Sequence, residues 1–212
     1  MGLVMETIMV MTGAIAVIRF LHANYAASIQ WIAVPAVLVI ASLVPAWIGK
    51  REFPHLGLRG AGTVAGVCVC VFPAFFFGLW VLTLLNLPVP LRPIVPERQG
   101  WPAWLLYQFF YVAVAEEMFF RGYVQGNVMR WLNRLSQRPG LGPHGLAILI
   151  SAGCFALAHV AVQGQITPIL TFLPGLVLGW LFVRTGTLLA PILFHGLANV
   201  SYAAMAMTLA QP

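Results

Sequence analysis

The chain has 212 residues, of which 61% are hydrophobic and only 8% are charged. A soluble domain carries about 25% charged residues, so this composition excludes an ordinary soluble domain and indicates an integral membrane protein. The formal net charge of +6 is better explained by basic loops that set membrane topology than by a surface that binds nucleic acid.

The chain contains seven apolar segments, and most of them have about the 20 residues that a membrane-spanning helix needs. They cover residues 7–22, 27–48, 61–86, 102–120, 145–162, 168–184 and 188–209. We therefore expect an all-α, polytopic helical bundle with about seven spans, with eight as the alternative. We treat residues 1–212 as a single membrane domain, in which residues 1–100 form scaffold and gate and residues 101–212 hold the catalytic spans.

The sequence on either side of the fourth segment predicts different structures, a loop before it and a helical extension after it. Residues 87–100 contain four prolines, which disfavour a helix and predict an extended interfacial loop. Beyond Arg121 the apolar residues still recur at helical spacing, which predicts an amphipathic extension that ends at Pro139-Gly140.

Basic residues are distributed unevenly between the two sides of a seven-span bundle. One side would hold Lys50, Arg51, Arg59, Arg130, Arg134, Arg138 and Arg184, and the other would hold Arg19, Arg92 and Arg98. Because cytoplasmic loops carry an excess of basic residues, this distribution predicts that the first side, and with it the N-terminus, is cytoplasmic.

Glu116 and Glu117 lie side by side within the fourth apolar segment, although the chain has only five acidic residues. Ionisable groups at membrane depth are costly and tend to mark function. Glu117 and Arg121 are four residues apart, so they can pair on one face of a helix. Glu116 is rotated by about 100° from Glu117 and can therefore face a different neighbour.

Three further polar residues lie in later apolar segments, namely His159, His195 and Asn199. His195 and Asn199 are four residues apart, so both side chains project into the same space. Each of these groups also has a structural explanation, because intramembrane polar residues often join helices through hydrogen bonds. Glu116 is the hardest to explain in that way, since Arg121 can satisfy only one carboxylate well.

These residue types suit a hydrolase that needs no covalent nucleophile. A carboxylate and a histidine can hold and deprotonate a water, and a second histidine with an amide can stabilise an oxyanion. The sequence contains neither G-x-S-x-G nor H-E-x-x-H. Two histidines and a glutamate can also compose a zinc site, so a metallohydrolase stays open.

Three motifs occur in a fixed order on apolar segments, namely Glu116-Glu117-x-x-x-Arg121, Phe155-x-x-x-His159 and His195-x-x-x-Asn199. This set, over roughly residues 101–203, resembles the CPBP family, which includes CAAX prenyl endopeptidases, bacteriocin-processing and immunity-associated membrane proteins, and bacterial C-terminal sorting peptidases. The resemblance implies an intramembrane peptidase of the glutamate type that uses no metal cofactor, with zinc as the alternative.

The resemblance also implies roles for the six residues. Glu116 would be the general base, and His159 would position the water. Glu117 and Arg121 would orient the site, and His195 and Asn199 would stabilise the oxyanion.

The expected partners are the lipid bilayer and a membrane-anchored protein or peptide, cleaved near its C-terminus or its span, and no nucleic acid. The expected location is a prokaryotic inner membrane. Two other functions compete with this one: a non-catalytic immunity or assembly protein, and a small transporter with a proton relay through Glu116 and His159.

Overall fold

The computed structural model describes residues 2–58, 60–85, 100–136 and 141–209. The first three helices are α1 (Gly2–Asn24), α2 (Ala27–Ile48) and α3 (Ala61–Leu84). Helix α2 continues through Pro35 and Pro45. Most of the predicted proline-rich loop lies outside the described residues, as does the predicted Pro139-Gly140 stop.

The fourth helix, α4, covers residues 101–135 and alternates between α-helical and π-helical segments, with four changes along its length. It consists of Trp101–Leu106 (α), Tyr107–Ala113 (π), Val114–Glu117 (α), Met118–Gln125 (π) and Gly126–Leu135 (α). The predicted helical extension beyond Arg121 is therefore confirmed. The two π segments were not predicted, and such segments occur most often at functional sites.

The last three helices are α5 (Leu141–Gln163), α6 and α7 (Leu189–Leu209). Helix α6 begins with a 3₁₀ turn, Thr167–Thr171, and continues as Phe172–Thr185. It ends at Gly186, whose φ of 70° is a left-handed conformation that glycine adopts without steric cost. Only a short turn then separates α6 from α7.

The helices pack around the middle of α4. Buried residues of α1, α2, α4 and α5 form one apolar core, which includes Ile18, Leu38, Phe119 and Phe155. Helix α3 packs instead on α7, where the rings of Phe72 and Phe194 stack with centroids 5.4 Å apart. Helix α3 is therefore the helix most remote from the centre of α4.

Among the described residues, six helices are long and apolar enough to cross a membrane, namely all of the seven described except α4. Helix α4 carries the buried charges and is divided by its π segments. Large apolar side chains are exposed on the outer faces of α1, α2 and α3, as a lipid-facing surface requires. The prediction of an all-α, multi-pass membrane bundle is confirmed, and each predicted segment corresponds to one of the seven helices described.

Candidate active site

The two adjacent carboxylates lie in the short α segment of α4, between its two π segments. Glu117 is fully buried, whereas 19% of the Glu116 side chain remains exposed. A π segment has more residues per turn than an α-helix, so it changes which side chains share a face. Within the α segment, adjacent residues are rotated by about 100°, so the two carboxylates meet different neighbours.

Glu117 and Arg121 form the ion pair that their spacing predicts. Arg121 Nη1 donates to Glu117 Oε1 at 3.1 Å, and both side chains are fully buried. Arg121 Nη2 also donates to the carbonyl of Gly175 on α6, at 3.2 Å, and its guanidinium lies 4.6 Å from the centroid of the Phe155 ring. Arg121 therefore ties α4 to α5 and α6.

Gly175 allows α6 to approach α5 closely at this level. A Cβ atom at this position would lie 3.2 Å from the Cβ of Ala152 and 3.3 Å from its Cα. Because these are tighter than ordinary carbon contacts, any larger residue would push the two helices apart. The Gly175 carbonyl would then move with α6, away from Arg121.

His195 lies between the two glutamates. Its Nδ1 donates to Glu117 Oε1 at 2.7 Å, and its Nε2 lies 3.8 Å from Glu116 Oε2. The carboxylate behind Nδ1 fixes the orientation of the ring, as in other carboxylate–histidine pairs. The Nε2 atom is thereby directed toward Glu116.

His159 approaches Glu116 from α5. Its Nε2 lies 3.8 Å from Glu116 Oε2, and its Nδ1 is 2.9 Å from the carbonyl oxygen of Phe155. Because a carbonyl oxygen only accepts, Nδ1 carries the hydrogen, and Nε2 of the neutral ring is an acceptor. Two nitrogens from two helices therefore face the same carboxylate oxygen.

Glu116 Oε2 is buried and accepts no hydrogen bond from any side chain or backbone group among the described residues. The distances of 3.8 Å to the two histidines are too long for direct hydrogen bonds. A water molecule beside Glu116 Oε2 could still hydrogen-bond to this oxygen and to a histidine Nε2, because polar groups more than 3.5 Å apart are often bridged by water.

Asn199 lies one turn beyond His195 on α7, and its amide donates to Gln108 Oε1 at 2.9 Å. No contact described for the chain joins Asn199 directly to the other five predicted residues. Gln108 is buried in the first π segment of α4 and was missed in the sequence analysis. Its signal was an amide side chain within the apolar run that leads to Glu116.

The structure therefore brings five predicted residues together and links the sixth to α4 through Gln108. The sequence analysis also overlooked a cavity of about 230 Å³ beside Glu116 and His159, which residues of α1 and α2 help to line. Side chains of the first two helices therefore lie in the same cavity wall as Glu116 and His159.

A bundle of apolar helices that encloses two glutamates and two histidines defines a multi-pass integral membrane protein with a polar, buried site. Residues 98–201 match the Rce1-like family, described as type II CAAX prenyl endopeptidase Rce1-like. This match agrees with the family resemblance that the ordered motifs predicted.

The matched region covers about half of the chain and includes all six predicted site residues. It corresponds to α4, α5, α6 and the first part of α7. No curated protein and no solved structure matched the chain.

Proposed function

We propose that this protein is a glutamic intramembrane endopeptidase that hydrolyses a peptide bond in a membrane-associated protein or peptide. The observation that carries the proposal is the environment of Glu116 Oε2. This oxygen faces two histidine Nε2 atoms at 3.8 Å, lacks a hydrogen-bond partner among the described residues, and lies beside a cavity. A buried carboxylate oxygen that accepts no hydrogen bond has a lone pair free to take up a proton.

Glu116 and His159 are suited to hold the attacking water. The Glu116 carboxylate is an acceptor, and Nε2 of neutral His159 is an acceptor too, since its Nδ1 donates to Phe155. A water between two acceptors donates one hydrogen to each. The lone pairs of its oxygen are then directed away from both groups, toward a carbonyl carbon in the cavity.

Proton transfer follows from the same geometry. Glu116 takes a proton as the water attacks, and the protonated carboxyl then donates that proton to the leaving amine. One group serves first as base and then as acid, so no covalent intermediate is required. The peptide bond breaks, the water supplies one oxygen of the new carboxyl group, and the proton that Glu116 took from the water is transferred to the new amine.

His195 and Asn199 are suited to stabilise the oxyanion. Protonated His195 keeps its Nδ1 hydrogen on Glu117 and presents its Nε2 hydrogen toward the cluster. Asn199 Nδ2 uses one of its two hydrogens on Gln108, which leaves the second for a developing charge. Fixed donors of this kind lower the barrier of acyl transfer by several kcal/mol, on the order of 3 kcal/mol each.

Arg121 and Glu117 orient the proposed catalytic side chains without contacting the reacting atoms. Glu117 orients His195, and Arg121 holds Glu117 while it is itself anchored on Gly175 of α6. Both are therefore positioning residues. We further propose cleavage near the C-terminus or the membrane span of the substrate, because a site enclosed by apolar helices is poorly accessible to soluble proteins.

A zinc-dependent hydrolase that uses the same residues is the second mechanism. No group of three or more His, Cys, Asp or Glu side chains within the described ranges is placed to hold a metal ion. Metal analysis of the purified protein, with and without a chelator, separates the two mechanisms. Stoichiometric zinc, together with loss of cleavage on chelation that added zinc restores, would replace the metal-free mechanism.

The proposal is tested by expressing the protein with candidate membrane-anchored substrates and mapping new termini by mass spectrometry. We expect Glu116→Gln to lower cleavage by about 10²–10⁴-fold, the usual contribution of a general base. Glu6→Gln alters a glutamate on α1 that contacts Arg51 and Tyr123 and does not line the cavity, so it is the matched control and should retain the cleavage products. Products that persist in Glu116→Gln would rule out this mechanism.

The same variant separates catalysis from the non-catalytic alternative. If the protein acts as an immunity or assembly factor, Glu116→Gln should keep the biological effect while the protein stays folded. A proton-coupled transporter would instead show substrate flux without new termini.

A further inference from the structure

Four basic side chains lie at the end of the bundle where α2 finishes. Helix α2 ends at Ile48, and two cations follow it within three residues. Arg130, near the C-terminal end of α4, donates to the backbone carbonyl of Glu52, which brings the end of α4 to the same level. We call these four residues the basic patch: Lys50, Arg51, Arg130 and Arg134.

The positive charge of the basic patch is only partly balanced. Arg51 is paired with Glu6, whereas Arg130 donates to two neutral groups, the amide oxygen of Asn127 and a backbone carbonyl. Burial, and after it the charges of Arg51 and Arg134, lower the pKa of Arg130. Because like charges held this close repel one another, an anion bound among them would be stabilised.

Two members of the basic patch are available to such an anion. The side chains of Lys50 and Arg134 are exposed, and neither forms a hydrogen bond or an ion pair with another described residue. The nearby Glu52 is exposed as well, and its carboxylate forms no ion pair within the described part of the chain. The charges of Lys50 and Arg134 therefore remain without a carboxylate partner there.

The position of α2 places the basic patch at the height of the lipid headgroups. Helix α2 is a candidate membrane span, so the residues that directly follow it emerge at the membrane boundary. Trp47 and Ile48, in its last turn, are 80% and 70% exposed, and tryptophan is typical of this boundary. Together with Lys50 and Arg51 they line an open cavity of about 420 Å³. This cavity therefore has an apolar side and a cationic side.

We propose that the basic patch binds the phosphate of an anionic phospholipid, whose glycerol and upper acyl chain lie against Trp47 and Ile48. A phospholipid fits better than a soluble anion, because inorganic phosphate would leave the apolar side of the cavity in water. A headgroup with net negative charge fits better than a zwitterionic one, because an ammonium group would be repelled by the same cations. Lipid binding at this site does not require the proposed catalysis.

The test uses full-length protein in detergent, titrated in parallel with dimyristoylphosphatidylglycerol and dimyristoylphosphatidylcholine, and native mass spectrometry measures the bound lipid. Each cation near an anionic headgroup contributes about fivefold in affinity. Wild type should therefore bind phosphatidylglycerol about 25-fold more tightly than phosphatidylcholine through its two unpaired cations. Lys50→Gln and Arg134→Gln should each weaken phosphatidylglycerol binding about fivefold, and the double variant should lose the preference.

Arg184→Gln is the matched control. Arg184 is exposed near the end of α6, and it lies at the same end of the bundle, because the backbone N–H of Leu188 donates to His55 in the loop after α2. It does not line the cavity, and it is not among the charges that shift the pKa of Arg130. Its replacement should leave phosphatidylglycerol binding unchanged. Equal losses in Arg184→Gln and Lys50→Gln would reveal only a diffuse attraction, and would overturn the proposal.

Two other results would also overturn it. One is equal binding of the two lipids by wild type. The other is displacement of phosphatidylglycerol by inorganic phosphate of equal affinity, which would assign the basic patch to a soluble anion.

Thermal unfolding gives an independent readout. A ligand that binds only the folded protein raises Tm. Phosphatidylglycerol should therefore raise the Tm of wild type and of Arg184→Gln, relative to phosphatidylcholine, but not that of the double variant. Because Lys50 and Arg134 are exposed, both variants should fold, and circular dichroism without added lipid checks this. An equal rise in Tm for the double variant would place the lipid elsewhere and would contradict the proposal.

Discussion

Two clusters of acid and cation contact α4, and their carboxylates differ in how completely their hydrogen bonds are satisfied. In the first, Arg51 donates to both carboxylate oxygens of Glu6, and the hydroxyl of Tyr123 donates to Oε1 at 2.8 Å. In the second, Glu116 Oε2 has two histidine nitrogens at 3.8 Å and no hydrogen bond within the described part of the chain.

The first cluster stabilises the bundle. It joins α1, α4 and the loop after α2, and the hydrogen bonds that Arg51 donates to Glu6 raise the pKa of Arg51 above its usual value. Nearby, Asn127 of α4 donates to Thr7 of α1, and Arg130 donates to the backbone carbonyl of Glu52. Both oxygens of the Glu6 carboxylate therefore accept hydrogen bonds, although Arg51 Nε is buried without a partner among the described residues.

In the second cluster, Glu116 Oε2 can still accept hydrogen bonds, and Glu116 lies beside a cavity. An unsatisfied buried polar atom costs free energy, about 1–3 kcal/mol, so a protein retains one where something else binds. The carboxylates of the two clusters therefore differ, because both oxygens of Glu6 are paired whereas Glu116 Oε2 has no hydrogen bond among the described residues.

The largest expected effect on stability belongs to the ion pair that supports the second cluster. Arg121→Ala leaves Glu117 buried without its cation, and breaking a buried pair in this way costs about 3–5 kcal/mol. Unfolding in detergent, followed by circular dichroism, measures the loss. Arg134→Ala, on the exposed end of the same helix, should change stability by no more than about 0.5 kcal/mol. Equal stability of the two variants would show that Arg121 only orients the site.

The two glutamates should respond in opposite ways to the same substitution. Glu6→Gln weakens the hydrogen bonds from Arg51, and we expect a loss of about 1–2 kcal/mol with cleavage retained. Glu116→Gln should leave stability unchanged or increase it, because catalytic groups are often held at a cost to stability. Thermal unfolding of both variants checks the contrast, and the reverse order would contradict it.

Gln108 is expected to have a smaller effect, on rate alone. Gln108→Leu removes the acceptor that aims Asn199, and we expect kcat to fall about tenfold, less than the loss of a whole oxyanion donor. The decisive readout is a double-mutant cycle. In the background of Asn199→Ala, Gln108→Leu should cause little further loss, whereas a purely structural role would give additive losses.

The smallest expected effect lies in the first cluster. Tyr123→Phe deletes one hydrogen bond to Glu6 and should cost about 1 kcal/mol in stability. Cleavage rates should equal those of wild type, because Glu6 stays paired with Arg51. A reduced rate in this variant would show that the two clusters on α4 are coupled.

The sequence by itself determined the membrane bundle and most of the site. Segments rich in apolar residues specify helices because the bilayer offers no partners for backbone groups. The spacing of Glu117 and Arg121 determined their pairing, and the offset of Glu116 determined that it meets other neighbours. Both follow from local helix geometry, which needs no knowledge of distant contacts.

Only the tertiary structure decided which polar groups remain without hydrogen-bond partners. The π segments of α4, the link between Asn199 and Gln108, and the contribution of α1 and α2 to the cavity depend on how seven helices pack. The close approach of α6 at Gly175 fixes Arg121, and the placement of α5 and α7 sets both distances to Glu116. Local sequence patterns do not encode these long-range contacts, because each results from the combined packing of several helices.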